Sequence, residues 1–165
     1  MIDFLCYNPM DSYIPNLPKE GPVSFIRFLN LYNKIKRADV KINGYPFFKE
    51  IGFRKFTPYI IVPSGQCKLN IYSSGKTSRL LAGTLSEFLQ NMIYTIAIYG
   101  TENPEIIQVE DIKNASSPGE ADIRLIQLSL AASGIDLLET SGIKLFENLP
   151  YKGISKYTRI SEGKH

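Results

Sequence analysis

The chain has 165 residues, 44% of them apolar and 21% charged, and a formal net charge of +3. That length holds one sizeable domain or one and a half small ones, and the composition is that of a globular protein rather than a disordered chain. So weak a positive charge disfavours a nucleic-acid partner, because nucleic-acid-binding domains concentrate their Lys and Arg.

Ten Tyr and nine Phe, with many Ile and Val and no Trp, suit pleated, half-buried surfaces. Only Cys6 and Cys67 are present, far apart, whereas small secreted domains that depend on disulfides usually carry more. The opening "MIDFLCYNPM" has an acid at Asp3, no basic start and a very short apolar run, so it is not a conventional secretory signal. No window approaches a membrane span, and no membrane insertion is expected. A cytoplasmic or spore-associated location is favoured over secretion.

Residues 1–23 read as an irregular lead-in, broken by Pro9, Pro15, Pro18 and Pro22. "VSFIRFLNL" then predicts a strand with apolar residues on both faces. In "ADVKINGYPFF", Ala38, Val40 and Ile42 alternate with polar residues, and Asn43-Gly44 supplies the positive φ angles of a tight hairpin. "KFTPYIIV" is a further strand, placed by Pro58 at an edge or beside a bulge. "PSGQCKLNIY" puts Cys67, Leu69 and Ile71 on one face.

"RLLAGTL" is another strand, "SEFLQN" a single helical turn capped by Ser86 or a loop, and "MIYTIAIYG" the clearest strand of the chain. "IIQVED" follows it, and the polar stretch "NASSPGE" from Asn114 marks a boundary. Short strands at this spacing predict an all-β sandwich. The expected organisation is a lead-in over 1–23, a first sandwich over 24–114, a linker over 115–120 and a partial second sandwich over 121–165.

The second segment repeats the first. Ile26-Arg27, Leu31 and Asp39 meet Ile123-Arg124, Leu128 and Asp136 at an offset of 97. After a one-residue insertion Gly44, Phe48, Tyr59 and Gly65 meet Gly142, Phe146, Tyr157 and Gly163. On this alignment the second copy holds counterparts of the first four strands only. A half-sandwich with open edges predicts completion in trans, by a homodimer or a swapped strand, with residues 1–23 as the alternative filler.

"IRFLNL", "ADVKING", "VPSGQCKLNIY" and "YTIAIYGT", with "IRLIQL" and "KLFENLPYKGISKY" in the second copy, resemble the bacterial domain-of-unknown-function family 4397 over most of the chain from Ser24 onward. The resemblance implies immunoglobulin- or transthyretin-like antiparallel sandwiches, often in tandem, in cell-surface proteins and in signal-less Gram-positive ones. It implies no catalytic residues. The chain departs from the family where "YNKIKRA" and "SLAASGI" replace a Ser-Pro-rich loop.

Sites for chemistry are few. "SSGKTS" ends like a phosphate loop, but the required first glycine falls at Asn70. Two cysteines and a single histidine cannot furnish a structural zinc site, and no nucleophile elbow occurs. Neither a metal nor a cofactor is expected. Glu110 and Asp111 read as solvated, Cys67 as a small buried hydrophobe. The sequon at Asn114 carries little weight outside a secreted eukaryotic protein.

Arg27 with Asp39, and Arg124 with Asp136 at the same spacing, are expected to form structural charge pairs across neighbouring strands. Lys34, Lys36 and Arg37, with Arg54 and Lys55 beside Phe53, form the best surface patch, able to contact a glycan or cell-wall polymer. The function expected is a non-catalytic interaction or structural module of the envelope or spore; a glycan-binding module is the alternative.

Overall fold

The computed structural model describes residues 21–75, 78–112 and 117–161. They are all-β, and the chain divides between Lys113 and Asn114 into two compact units.

The first unit contains β1 (Val23–Asn30), β2 (Arg37–Ile42), β3 (Tyr45–Gly52), β4 (Ile60–Pro63), β5 (Gly65–Ser73), β6 (Leu80–Phe88), β7 (Ile93–Tyr99) and β8 (Glu105–Asp111). One sheet runs β4-β1-β7-β8 and the other β3-β2-β5-β6. All the pairings are antiparallel except β1 with β7, which is parallel. Together the two sheets make a β-sandwich.

Strict alternation in β1 buries Ser24, Ile26, Phe28 and Asn30 and leaves Phe25, Arg27 and Leu29 half-buried, so one face meets the core. Val40 and Ile42 from β2 and Leu69 and Ile71 from β5 cover it from the opposite sheet. The rings of Phe28 and Phe48 stack across the sandwich at 6.3 Å. Asn43 and Gly44 take φ of 51° and 86° and turn β2 into β3 as expected.

Pro58 precedes β4, and β4 is an edge strand, where a missing donor costs nothing. "SEFLQN" is neither a helical turn nor wholly a loop. Ser86 and Phe88 are buried on β6, and Phe88 packs against Tyr94. Burial of every second side chain outweighs the capping signal of Ser86.

The second unit contains β9 (Glu120–Ile123), β10 (Gly134–Leu138), β11 (Lys144–Pro150) and β12 (Thr158–Ser161). β9 pairs with β12 and β10 with β11, both antiparallel. Its internal bonds reproduce those of the first unit. The bridge Leu29–Phe56 recurs as Ile126–Ile154, and the pairs Ser24–Val62 and Val40–Phe48 recur as Ala121–Ile160 and Leu137–Phe146. Thr57 Oγ1 accepts from the Phe28 amide as Ser155 Oγ accepts from that of Leu125. Among its described residues only Gln127 is buried, and its Nε2 has no partner.

Candidate functional site

The predicted surface patch gathers at one end of the first sandwich, and Asn30 organises it. Asn30 is fully buried at the end of β1, where its Nδ2 donates to the Ile51 carbonyl at 3.0 Å and its Oδ1 accepts from the Tyr32 amide at 3.1 Å. Its backbone carbonyl accepts from the Arg54 amide, and its own amide donates to the Lys55 carbonyl. The 31–36 loop and the turn after β3 are thereby fixed to one residue.

The Phe53 amide then donates to the Lys36 carbonyl at 3.1 Å. Arg54 takes a left-handed φ of 61°, and its guanidinium sits 5.2 Å over the Phe53 ring. Lys36, Arg37, Phe53 and Arg54 therefore meet, although 16 positions separate Arg37 from Phe53. Beside them opens a cleft of about 380 Å³, lined by Ile35, Lys36, Arg37, Glu50 and the Ser73–Gly75 turn.

The sequence reading missed that last wall. The signal lay in strand pairing: β5 runs antiparallel to β2, Ser73 lies opposite Ala38, and the Ser74 amide donates to the Arg37 carbonyl. The segment dismissed as a phosphate loop thus borders the basic cluster. Its Lys76 and Thr77 lie outside the described residues. Two of the cations carry acidic neighbours: Lys34 meets Glu102 at 3.0 Å, which raises its pKa, and Arg37 meets Glu50 at 3.4 Å. All four groups are exposed, so these pairs are weak and screened.

The expected pair of Arg27 with Asp39 does not form, because β1 and β2 lie in different sheets. Arg27 Nε donates instead to Thr95 Oγ1 on β7 at 2.8 Å, and that hydroxyl donates to Asp111 Oδ2 at 2.5 Å. Tyr59 donates to the same oxygen at 2.7 Å, and Arg27 lies over the Phe56 and Tyr59 rings at 4.6 and 4.7 Å. Asp111 is buried, not solvated as its place beside the boundary suggested. Burial, and then the Asp111 contact, push the Tyr59 hydroxyl up to about 12.

Asp39 has a different task. Its Oδ1 accepts from the Glu50 amide at 2.7 Å and from Ser74 Oγ, at a bulge where Glu50 takes a φ of 55°. Asp136 repeats this with the amide of Asn148, whose φ is 46°, and pairs with Lys144 at 3.1 Å. Those bonds hold its carboxyl below the usual range. Arg124, expected to meet Asp136, lies 4.7 Å over the Tyr157 ring, the counterpart of Arg27 over Tyr59. Cys67 is buried, and desolvation pushes its thiol up.

Among the described residues no group of His, Cys, Asp and Glu could hold a metal ion, and no helix is long and apolar enough to cross a membrane. Residues 24–138 match the family described as "Domain of unknown function (DUF4397)", from β1 to the end of β10. No curated protein matches the chain.

Proposed function

Because the chain belongs to this family, DUF4397, whose role is unknown, we propose that it is a non-catalytic interaction module that engages an anionic envelope or spore polysaccharide through the loop end of its first sandwich. The observation behind this reading is the joining of Lys36, Arg37, Phe53 and Arg54 beside an open cleft, on loops pinned by a buried asparagine. A pre-set cation and aromatic surface suits a sugar acid or polyol phosphate, since the ring stacks on the sugar and the guanidinium takes the charge. Rigid loops reduce the ordering cost of binding.

The ionisable side chains favour a binding module over an enzyme. Asp39 and Asp136 hold bulges, and Asp111 anchors a cross-strand network. The raised pKa of Cys67 keeps the thiol protonated, which suits packing and not nucleophilic attack.

Isothermal titration with polygalacturonate, and with neutral dextran as control, tests the proposal. Expected is salt-sensitive binding to the acidic polymer, weakened at least about ten-fold in a chain carrying Lys36→Ala, Arg37→Ala and Arg54→Ala. Binding of neither polymer, or equal binding of both, would overturn it.

A further inference from the structure

The loop cluster of the first sandwich has a counterpart in the second unit, built on the same bonds but with different charge. Gln127 stands where Asn30 does. Its Oε1 accepts from the Ser129 amide at 2.8 Å, its carbonyl accepts from the Lys152 amide at 2.7 Å, and its own amide donates to the Gly153 carbonyl at 3.0 Å. Asn30 makes the same three bonds with Tyr32, Arg54 and Lys55. Lys152 takes a left-handed φ of 63°, as Arg54 takes 61°. Its ammonium lies 5.3 Å over the Tyr151 ring, as the Arg54 guanidinium lies over Phe53. The stacked ring and cation recur.

The wall beside them does not. Lys34, Lys36 and Arg37 of the first loop correspond to Ala131, Ser133 and Gly134 of the second. Gly134 pairs with Pro150 as Arg37 pairs with Gly52, and Asn148 gives its amide to Asp136 as Glu50 does to Asp39. Both members of the Arg37–Glu50 ion pair are thus replaced together, by Gly134 and Asn148. The exchange is coupled by packing, because a Cβ added at Gly134 would collide with Asn148 Oδ1.

This neutral wall still carries hydrogen-bonding groups. Asn148 is exposed, and a side-chain amide both donates and accepts. Gln127 is 2% exposed, and where Asn30 Nδ2 donates to the Ile51 carbonyl, Gln127 Nε2 has no partner. Buried donors without a partner are uncommon, and this one belongs to the residue that holds the Tyr151–Lys152 turn.

We infer that the second unit carries its own sugar site, centred on Tyr151, Lys152 and Asn148, which takes an uncharged acetamido sugar where the first takes an acidic one. The apolar face of the sugar lies against the Tyr151 ring, and the acetamido N–H and C=O pair with the Asn148 amide. The inference rests on reading the first unit as a polysaccharide module and adds a second specificity to it.

The test is isothermal titration of the full-length chain with the hexamer of N-acetylglucosamine, which carries the acetamido group that dextran lacks. Saturable, salt-insensitive binding is expected, weakened at least about five-fold by Tyr151→Ala or by Asn148→Gly. Asn148→Gly removes only the side chain, since glycine accepts the φ of 46° at that position. Tyr151→Phe keeps the ring and should bind within about two-fold of the parent, which separates loss of stacking from loss of the fold. The chain carrying Lys36→Ala, Arg37→Ala and Arg54→Ala should bind the hexamer unchanged. No saturable binding, indifference to Tyr151→Ala and Asn148→Gly, or loss in the triple variant overturns the inference. Polygalacturonate bound without the hexamer overturns this site alone, the hexamer without polygalacturonate overturns the acidic site alone, and neither bound overturns both.

Discussion

Replacing Asp111 by Ala removes the acceptor on which the first unit's outer-face network converges. Its Oδ2 takes the Tyr59 hydroxyl at 2.7 Å and the Thr95 hydroxyl at 2.5 Å. A hydrogen bond to a charged group contributes about 1.5–3 kcal/mol. Thr95 is buried and its bond counts fully, whereas Tyr59 is half-buried and recovers part of its loss from water. The Arg27 contact at 3.9 Å involves a side chain one-third exposed and adds only about a few tenths of a kcal/mol. The expected destabilisation is therefore about 3 kcal/mol, with Asp111→Asn near half of that because an acceptor remains. Urea unfolding followed by tyrosine fluorescence measures it. With a slope of about 1.5 kcal/mol/M, typical of a domain this size, the midpoint of the Ala variant drops by about 2 M at unchanged slope. A drop under about 0.5 M would mean that solvent already satisfies these groups, and the network's structural role would be refuted.

The phenol of Tyr59 sets a second expectation. Its folded-state pKa lies above the ordinary value of 10.0, at about 12, so between these values the folded chain keeps a proton the unfolded chain has released. The stability this group contributes is intact below about pH 10 and is lost as pH rises to about 12. Phenolate absorbance should show a tyrosine titrating last, and earlier in Asp111→Asn; simultaneous titration of all tyrosines near pH 10 would contradict this. In the turn after β7, Gly100 has a φ of 118°, and an added Cβ would collide with the Asn103 carbonyl oxygen. Gly100→Ala should cost more than about 2 kcal/mol by thermal melting. Gly83→Ala, whose Cβ meets the movable tip of Asn70 at 2.7 Å, should cost clearly less; equal losses would refute the distinction.

Local patterns carried most of the fold. Alternation in β2 and β5 and the Asn43-Gly44 turn placed the second sheet, and "MIYTIAIYG" placed β7. What a single strand does not disclose is which sheet it joins. Arg27 and Asp39 share a spacing with Arg124 and Asp136, but a spacing of 12 residues says nothing about whether a chain crosses from one layer to the other. Here it does, and each charge found a different partner. Asp111 looked solvated because its partners are not its neighbours in sequence: Thr95 lies across the pairing with β7, and Tyr59 is 52 residues away. The basic cluster was legible from its composition. The Ser73–Gly75 wall became visible only through the register of β5 on β2.

The parallel pairing of β1 with β7 has a consequence for how the first sandwich assembles. β2 and β3 meet across a two-residue turn, and β5 and β6 across a short loop. β1 must wait for partners that begin at Ile60 and Ile93, so the Arg27–Thr95 contact closes a span of 68 residues. The entropy of that closure is met only once most of the unit's chain is available. β1, the earliest of this unit's described strands in chain order, is therefore among the last to be locked in place, and Asn30, at its end, fixes the two loops it holds only then.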